Sequence, residues 1–261
     1  METPPPFTFA RGLSIWWRES VRLRGFWGAL ASLGVSVYEV ARDYTPARRR
    51  LRYGDLEYDW EHKVDTTWSN LRLGTRVREI FAGRQYQPIE ADLFRDVIGG
   101  LEVDYSQFTF IDLGSGKGRA LLLATEFPFR CIIGVELLPE LHAIAHQNVG
   151  KYQQGSQRSR VELFCGDARQ FCFPPEALVV FLFDPFPEHV LQEVIDNLEQ
   201  SLSEQPRPAL VVYLNPISEH VLSNTDWLQR LRGNIQYAVY YAKDWKEIEN
   251  ARLESGAVFE V

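Results

Sequence analysis

Phe110-Ile111-Asp112-Leu113-Gly114-Ser115-Gly116-Lys117-Gly118-Arg119 is the stretch on which the fold turns. Phe108, Phe110 and Ile111 are the bulky apolar residues of a buried strand, and Ala120-Leu121-Leu122-Leu123-Ala124 reads as the start of a helix. Between them glycine recurs at alternate positions, so a strand passes through a tight turn into a helix. Glycine takes positive φ cheaply and has no Cβ, so a ligand can press against the backbone there. The turn reads as a cradle.

Two common cradles do not match. A phosphate loop of the G-x-x-x-x-G-K-[ST] type needs glycine where Ile111 stands and a hydroxyl where Gly118 stands. The dinucleotide fingerprint G-x-G-x-x-G/A puts its third small residue at Arg119, which argues against a nicotinamide oxidoreductase. The pattern that fits is Asp-x-Gly-x-Gly-x-Gly, carried by Asp112, Gly114, Gly116 and Gly118. On these residues the chain resembles the class I methyltransferases that use S-adenosylmethionine.

Downstream of the turn, strands and helices alternate. Cys131 to Glu136, Val161 to Phe164, Leu178 to Phe183 and Ala209 to Leu214 read as buried strands. Helices are expected after Pro139 and Pro187 and over Ile217 to Leu231. Ile235 to Tyr241 and Ala257 to Val261 read as two last strands with no clear amphipathic helix between them, which suits an antiparallel pair at a sheet edge. The expected fold is α/β: a Rossmann-like, doubly wound, seven-stranded sheet, mostly parallel with an antiparallel last strand. An N-terminal helical extension precedes it. We place the extension at residues 1–80 and the catalytic domain at 81–261, with the family resemblance covering roughly 85–261.

In such sheets ligands lie beyond the carboxyl ends of the strands, so the strand ends are the candidate site. Asp112 and the turn Gly114, Ser115, Gly116 and Gly118 end the first strand, where backbone amides can approach the amino-acid part of a ligand. Glu136, followed by Leu137, ends the second at the spacing of an acid that accepts both ribose hydroxyls. Asp167 and Ala168 end the third, where the resemblance implies contact with the adenine edge. Tyr86, in a Tyr-x-Pro turn, is implied to sit over the mouth and hold the methionine end of the cofactor, the alternative being a packing aromatic.

The fourth strand ends in Asp184-Pro185-Phe186, similar to the [DNS]-P-P-[YFW] motif of methyltransferases acting on nitrogen, with phenylalanine in place of the second proline. In that motif the acid and the following carbonyl hold the target amine, and the aromatic ring packs against it. The bland reading is a strand end that caps the next helix. Asp184, Pro185 and Phe186 are the catalytic candidates. No metal is expected: His142 and His146 share a helix face without further ligands, and His62 with Asp59, Glu61 and Asp65 reads as a solvated polar loop.

The Tyr-x-Pro turn and the Asp-Leu-Gly-Ser-Gly-x-Gly-Arg run are similar to those of the seven-strand, non-SET protein-lysine methyltransferases and of uncharacterised bacterial class I members. The resemblance implies S-adenosylmethionine as cofactor and an amine substrate, first a protein lysine. A nucleobase, a small-molecule amine and a non-catalytic cofactor-binding role are the alternatives.

The chain of 261 residues carries a formal charge of −7, which argues against wholesale nucleic-acid binding. Three cysteines without C-x-x-C spacing read as reduced residues of a cytoplasmic protein. Arginines crowd the first fifth of the chain. There a helix is expected from Ser14 to about Ala41, broken near Gly25. It reads as an amphipathic helix packed on the domain or on a partner, with peripheral contact at an anionic membrane surface as the alternative.

Overall fold

The computed structural model describes residues 17–18, 21–22, 25–31, 33–34, 56–67, 89–153 and 160–243. Tyr86 and the strand expected at Ala257 to Val261 lie outside them, as does most of the first fifth. Near the start, residues 25–31 are helical and Gly25 takes φ 70°, which places the expected break.

Among the described residues, the helices α1 (Leu56–His62) and α2 (Ala91–Gly99) come next, ahead of the sheet. Then come β1 (Phe108–Leu113), α3 (Arg119–Ala124), β2 (Cys131–Glu136), α4 (Pro139–Gln153), β3 (Arg160–Cys165) and β4 (Ala177–Phe183). The chain continues through α5 (Glu188–Glu204), β5 (Ala209–Leu214), α6 (His220–Ser223), β6 (Leu228–Gly233) and β7 (Tyr237–Ala242). The seven strands form one sheet in the order β3-β2-β1-β4-β5-β7-β6. β1 to β5 are parallel, and β7 runs antiparallel to both β5 and β6. This is the expected doubly wound sheet with its antiparallel last strand.

Alternation along the strands divides the core between the two faces. From β1 and β4, Phe110, Val179 and Phe181 join one cluster with Phe94 of α2 and Leu121 of α3. Ile111, Leu113, Val180 and Leu182 join the other, with Leu191, Val194, Ile195 and Leu198 of α5. Phe94, Phe110 and Phe181 meet at centroid distances of 5.3 to 5.9 Å, contacts worth about 0.5–1.5 kcal/mol each beyond the area they bury. β1 and β4 are buried on both faces, which explains the unbroken apolar run of β4.

One element differs from expectation. The helix read over Ile217 to Leu231 shrinks to α6, and Leu228–Gly233 is instead the edge strand β6. Gln229, Arg230 and Leu231 are all exposed on it, and the register to β7 shifts between Arg230 and Arg232. An exposed, bulged edge has no period-two pattern to read. The antiparallel edge is thus made by β6 and β7.

Candidate functional site

Strand order reverses at β1, with β2 and β3 on one side and β4 and β5 on the other, so the crevice opens at the carboxyl ends of β1 and β4. The glycine turn sits there. Gly114, Gly116 and Gly118 take φ of 85°, 55° and 85°. A Cβ on Gly114 would lie 2.5 Å from Cβ of Pro185, so the motif ending β4 packs directly on the turn ending β1. Asp184, Pro185 and Phe186 are half-buried beside it.

The turn's amides point inward, not outward as expected. The N–H groups of Gly114 and Ser115 both donate to the carbonyl of Val135, at 2.8 and 3.0 Å, and that of Gly118 donates to Ser115. Gly116 N–H donates to Glu136 Oε2 at 2.8 Å, while Oε1 of the same carboxylate accepts from Leu138 N–H at 2.8 Å. Glu136 therefore fixes the turn to the end of β2, and its carboxylate keeps a lone pair for a ligand hydroxyl. Burial pushes its carboxyl up, against the pull of the Leu138, Gly116 and Leu137 amides. Carbonyls of the turn are engaged as well: Ser115 accepts from Gly118 N–H, Gly118 from Leu122 N–H and Lys117 from the Asn148 side-chain amide.

Asp112 is 3 % exposed, and among the described residues nothing donates a hydrogen bond to it. Burial first and the charge of Glu136 second push its carboxyl up to about 8. Asp167 stands at the end of β3 as expected, but Arg169 grips it. Oδ1 accepts from the Arg169 amide at 3.0 Å, and Oδ2 from Nη2 at 2.7 Å. Burial pushes this carboxyl up, and Arg169 outweighs it and holds it below the usual range. Ala168 is buried next to it, and Leu137 is half-buried past Glu136.

Asp184 takes φ 41°, a left-handed conformation that a non-glycine residue holds at a cost of about 1–3 kcal/mol. On neighbouring β5, Tyr213 is fully buried, and its hydroxyl donates to Asp184 Oδ1 at 3.2 Å. The carboxylate is thereby aimed by strain and by a phenol that no sequence motif announced.

A second set of residues unread in the sequence closes behind the turn. Lys117 is fully buried, and its Nζ donates to Asp65 Oδ1 at 2.7 Å and to the carbonyl of Thr67 at 2.6 Å. Arg119 Nη1 donates to Thr66 Oγ1 at 3.2 Å, and its guanidinium lies 4.3 Å over the ring of Tyr58. Asn148 of α4 joins both partners, donating to the carbonyls of Asp65 and Lys117 at 2.8 and 2.9 Å and accepting from Asp65 N–H at 2.9 Å. Asp59 in turn accepts from the amides of Thr66 and Thr67 and from the Thr66 hydroxyl. The segment expected to be a solvated polar loop is a clasp around the glycine turn. His62 stacks between Tyr58 and Tyr152. Among the described residues, no group of His, Cys, Asp and Glu is arranged to hold a metal.

No protein-family model and no curated protein matches the sequence. Among solved structures, the chain is similar to an RNA methyltransferase from Salinibacter ruber in complex with S-adenosyl-L-homocysteine, at 23 % identity over 60 % of this chain and 92 % of that one, TM-score 0.39. A SAM-dependent methyltransferase from Aquifex aeolicus is similar at 14 % identity, over 57 % and 88 %, TM-score 0.43. So is precorrin-6y C5,15-methyltransferase from Geobacter metallireducens, at 14 % identity, over 57 % and 86 %, TM-score 0.43. Likenesses of this size carry no argument about what this chain binds, and its function is read from its own residues.

Proposed function

We propose that the chain is an S-adenosylmethionine-dependent methyltransferase of the class I type that methylates an amine nitrogen, with a protein lysine as the leading substrate. One observation carries the reading. A buried acid, Glu136, ends β2 twenty residues past a glycine turn and is hydrogen-bonded into it, at the crevice where strand order reverses.

The residues present fit the cofactor. Glu136 has a lone pair for a ribose hydroxyl, and Asp167 with Ala168 stands where an adenine edge is read. Glu136 gives the crevice a negative field for a cationic ligand, to which Asp112 adds once such a ligand draws off its proton. Bound there, the cofactor supplies a methyl group on a sulfonium, ready for in-line displacement. The protein's own task is to align and desolvate an uncharged amine. Asp184, aimed by Tyr213, accepts a hydrogen bond from that amine, and Phe186 offers a ring to the cation that forms. The acidic catalytic half favours a cationic substrate such as lysine over nucleic acid.

Calorimetric titration of the purified chain with S-adenosylmethionine and S-adenosylhomocysteine tests the reading. Wild type should bind in the micromolar range, Glu136→Ala should lose at least roughly tenfold in affinity, and Asp184→Ala should bind like wild type. Methyl transfer to a lysine peptide should then vanish in Asp184→Ala. Absence of binding by the wild-type chain ends the proposal, and transfer to a nucleobase but not to lysine moves the substrate.

A further inference from the structure

The start of the chain has no part in the proposed chemistry, and its surface has a character of its own. Residues 17–18, 21–22 and 25–31 are helical on either side of the Gly25 turn. Trp17 meets Phe26 edge-on at 5.9 Å across that turn, and Phe26 meets Trp27 at 5.5 Å. Ala29 is fully buried, whereas Phe26, Trp27 and Leu30 are 55, 78 and 43 % exposed. At 3.6 residues per turn, positions 26, 27 and 30 share one arc of about 100°. The helix therefore does not bury this apolar arc on the domain, as an amphipathic helix packed there would.

Charge says what covers it. Residues 1–52 hold nine arginines and no lysine against four acids, a net of +5 in a chain whose total is −7. Arg18 and Arg22 are exposed on the helical piece just before the turn. An acidic protein would answer the arginines and leave the Phe26, Trp27 and Leu30 arc unexplained; an apolar groove would do the reverse. A bilayer surface takes both, because phosphates meet the guanidinium groups while the rings enter the boundary between headgroups and acyl chains. Among the described residues no helix is long and apolar enough to cross a membrane, so the contact is with the surface.

We propose that the Gly25 segment, through Phe26, Trp27, Leu30, Arg18 and Arg22, docks this protein on membrane surfaces rich in anionic phospholipid. The docking stands independently of the methyl-transfer reading. Sedimentation of the full chain with vesicles tests it, using phosphatidylcholine alone and phosphatidylcholine mixed equally with phosphatidylglycerol, at low and high salt. The chain should partition onto the anionic vesicles roughly tenfold or more above the neutral ones, and high salt should abolish most of that preference. Phe26→Ser/Trp27→Ser/Leu30→Ser should lose at least roughly tenfold in partitioning, with circular dichroism and thermal midpoint as in wild type. Trp27→Ser alone should show a smaller loss in the same direction. Equal partitioning on both vesicle types, no partitioning at all, or a triple variant that binds like wild type each overturns the proposal. Retention on an acidic protein or on nucleic acid while anionic vesicles are ignored also overturns it.

Discussion

Asp112 is buried beside Glu136, and its carboxyl is pushed up to about 8, by burial first and by the Glu136 charge second. The folded chain therefore keeps a proton that the unfolded chain releases near its ordinary value of 3.8. Stability from this group is full below about 4 and declines as pH rises toward about 8. Asp112→Asn has no proton to lose, so its unfolding midpoint in urea should vary less between pH 4 and 8 than wild type and exceed it at pH 8. A cationic ligand in the crevice favours the ionised form, so binding at neutral pH should release a proton. Titrations in buffers of different ionisation heat read that release directly. The positions of Asp112, Glu136 and Asp167 at or just past strand ends were legible because each closes an apolar run that reads as a buried strand. Tyr213 was not, since a tyrosine inside an apolar strand looks like core until the neighbouring strand places Asp184 against its hydroxyl.

At the scale of elements, the clasp formed by residues 58–67 is the feature that sequence reading missed, and the reason is physical. Lys117 meets Asp65 across 52 residues of chain, and no local pattern reports such a pairing. Read alone, Asp59, Glu61, His62 and Asp65 look like a solvated turn; closed on the glycine turn, Asp65 holds a buried ammonium group together with the Thr67 carbonyl, and Asp59 holds the amides of Thr66 and Thr67. Lys117→Met removes that cation and leaves Asp65 and the Thr67 carbonyl without their donor. Asp65 is 29 % exposed, so water softens the loss, and the expected destabilisation is about 2–3 kcal/mol in urea unfolding. S-adenosylhomocysteine should bind the variant more weakly than wild type, because the turn proposed to receive it has lost its backing. Unchanged affinity would limit the clasp to a structural role. The misread β6 has another cause: its polar, bulged, exposed residues are an edge's protection against further pairing, and that protection erases the alternation by which strands are recognised.

Across the whole molecule, burial falls from the centre of the sheet to its edges. β1 and β5 are buried at every position, whereas β3 is exposed or half-buried throughout and β6 is exposed or half-buried beyond Leu228. Native-state hydrogen exchange should therefore show amides of β1, β4 and β5 opening only with global unfolding, and those of β3 and β6 opening at lower free energy. Equal protection across the sheet would mean that its edges are held by contacts beyond the described residues. The parallel centre was legible because apolar strands alternating with helices leave few other topologies. The same order of events bears on synthesis. Asp65 emerges from the ribosome 83 residues ahead of Asn148, which ties it to the glycine turn. At ~5–20 residues per second, the clasp residues wait about 4–17 s for that partner. A nascent chain that has already made β1 and its glycine turn can pair Lys117 with Asp65 but lacks the Asn148 bonds that join the two, and the site reaches its final form only after α4 has been translated.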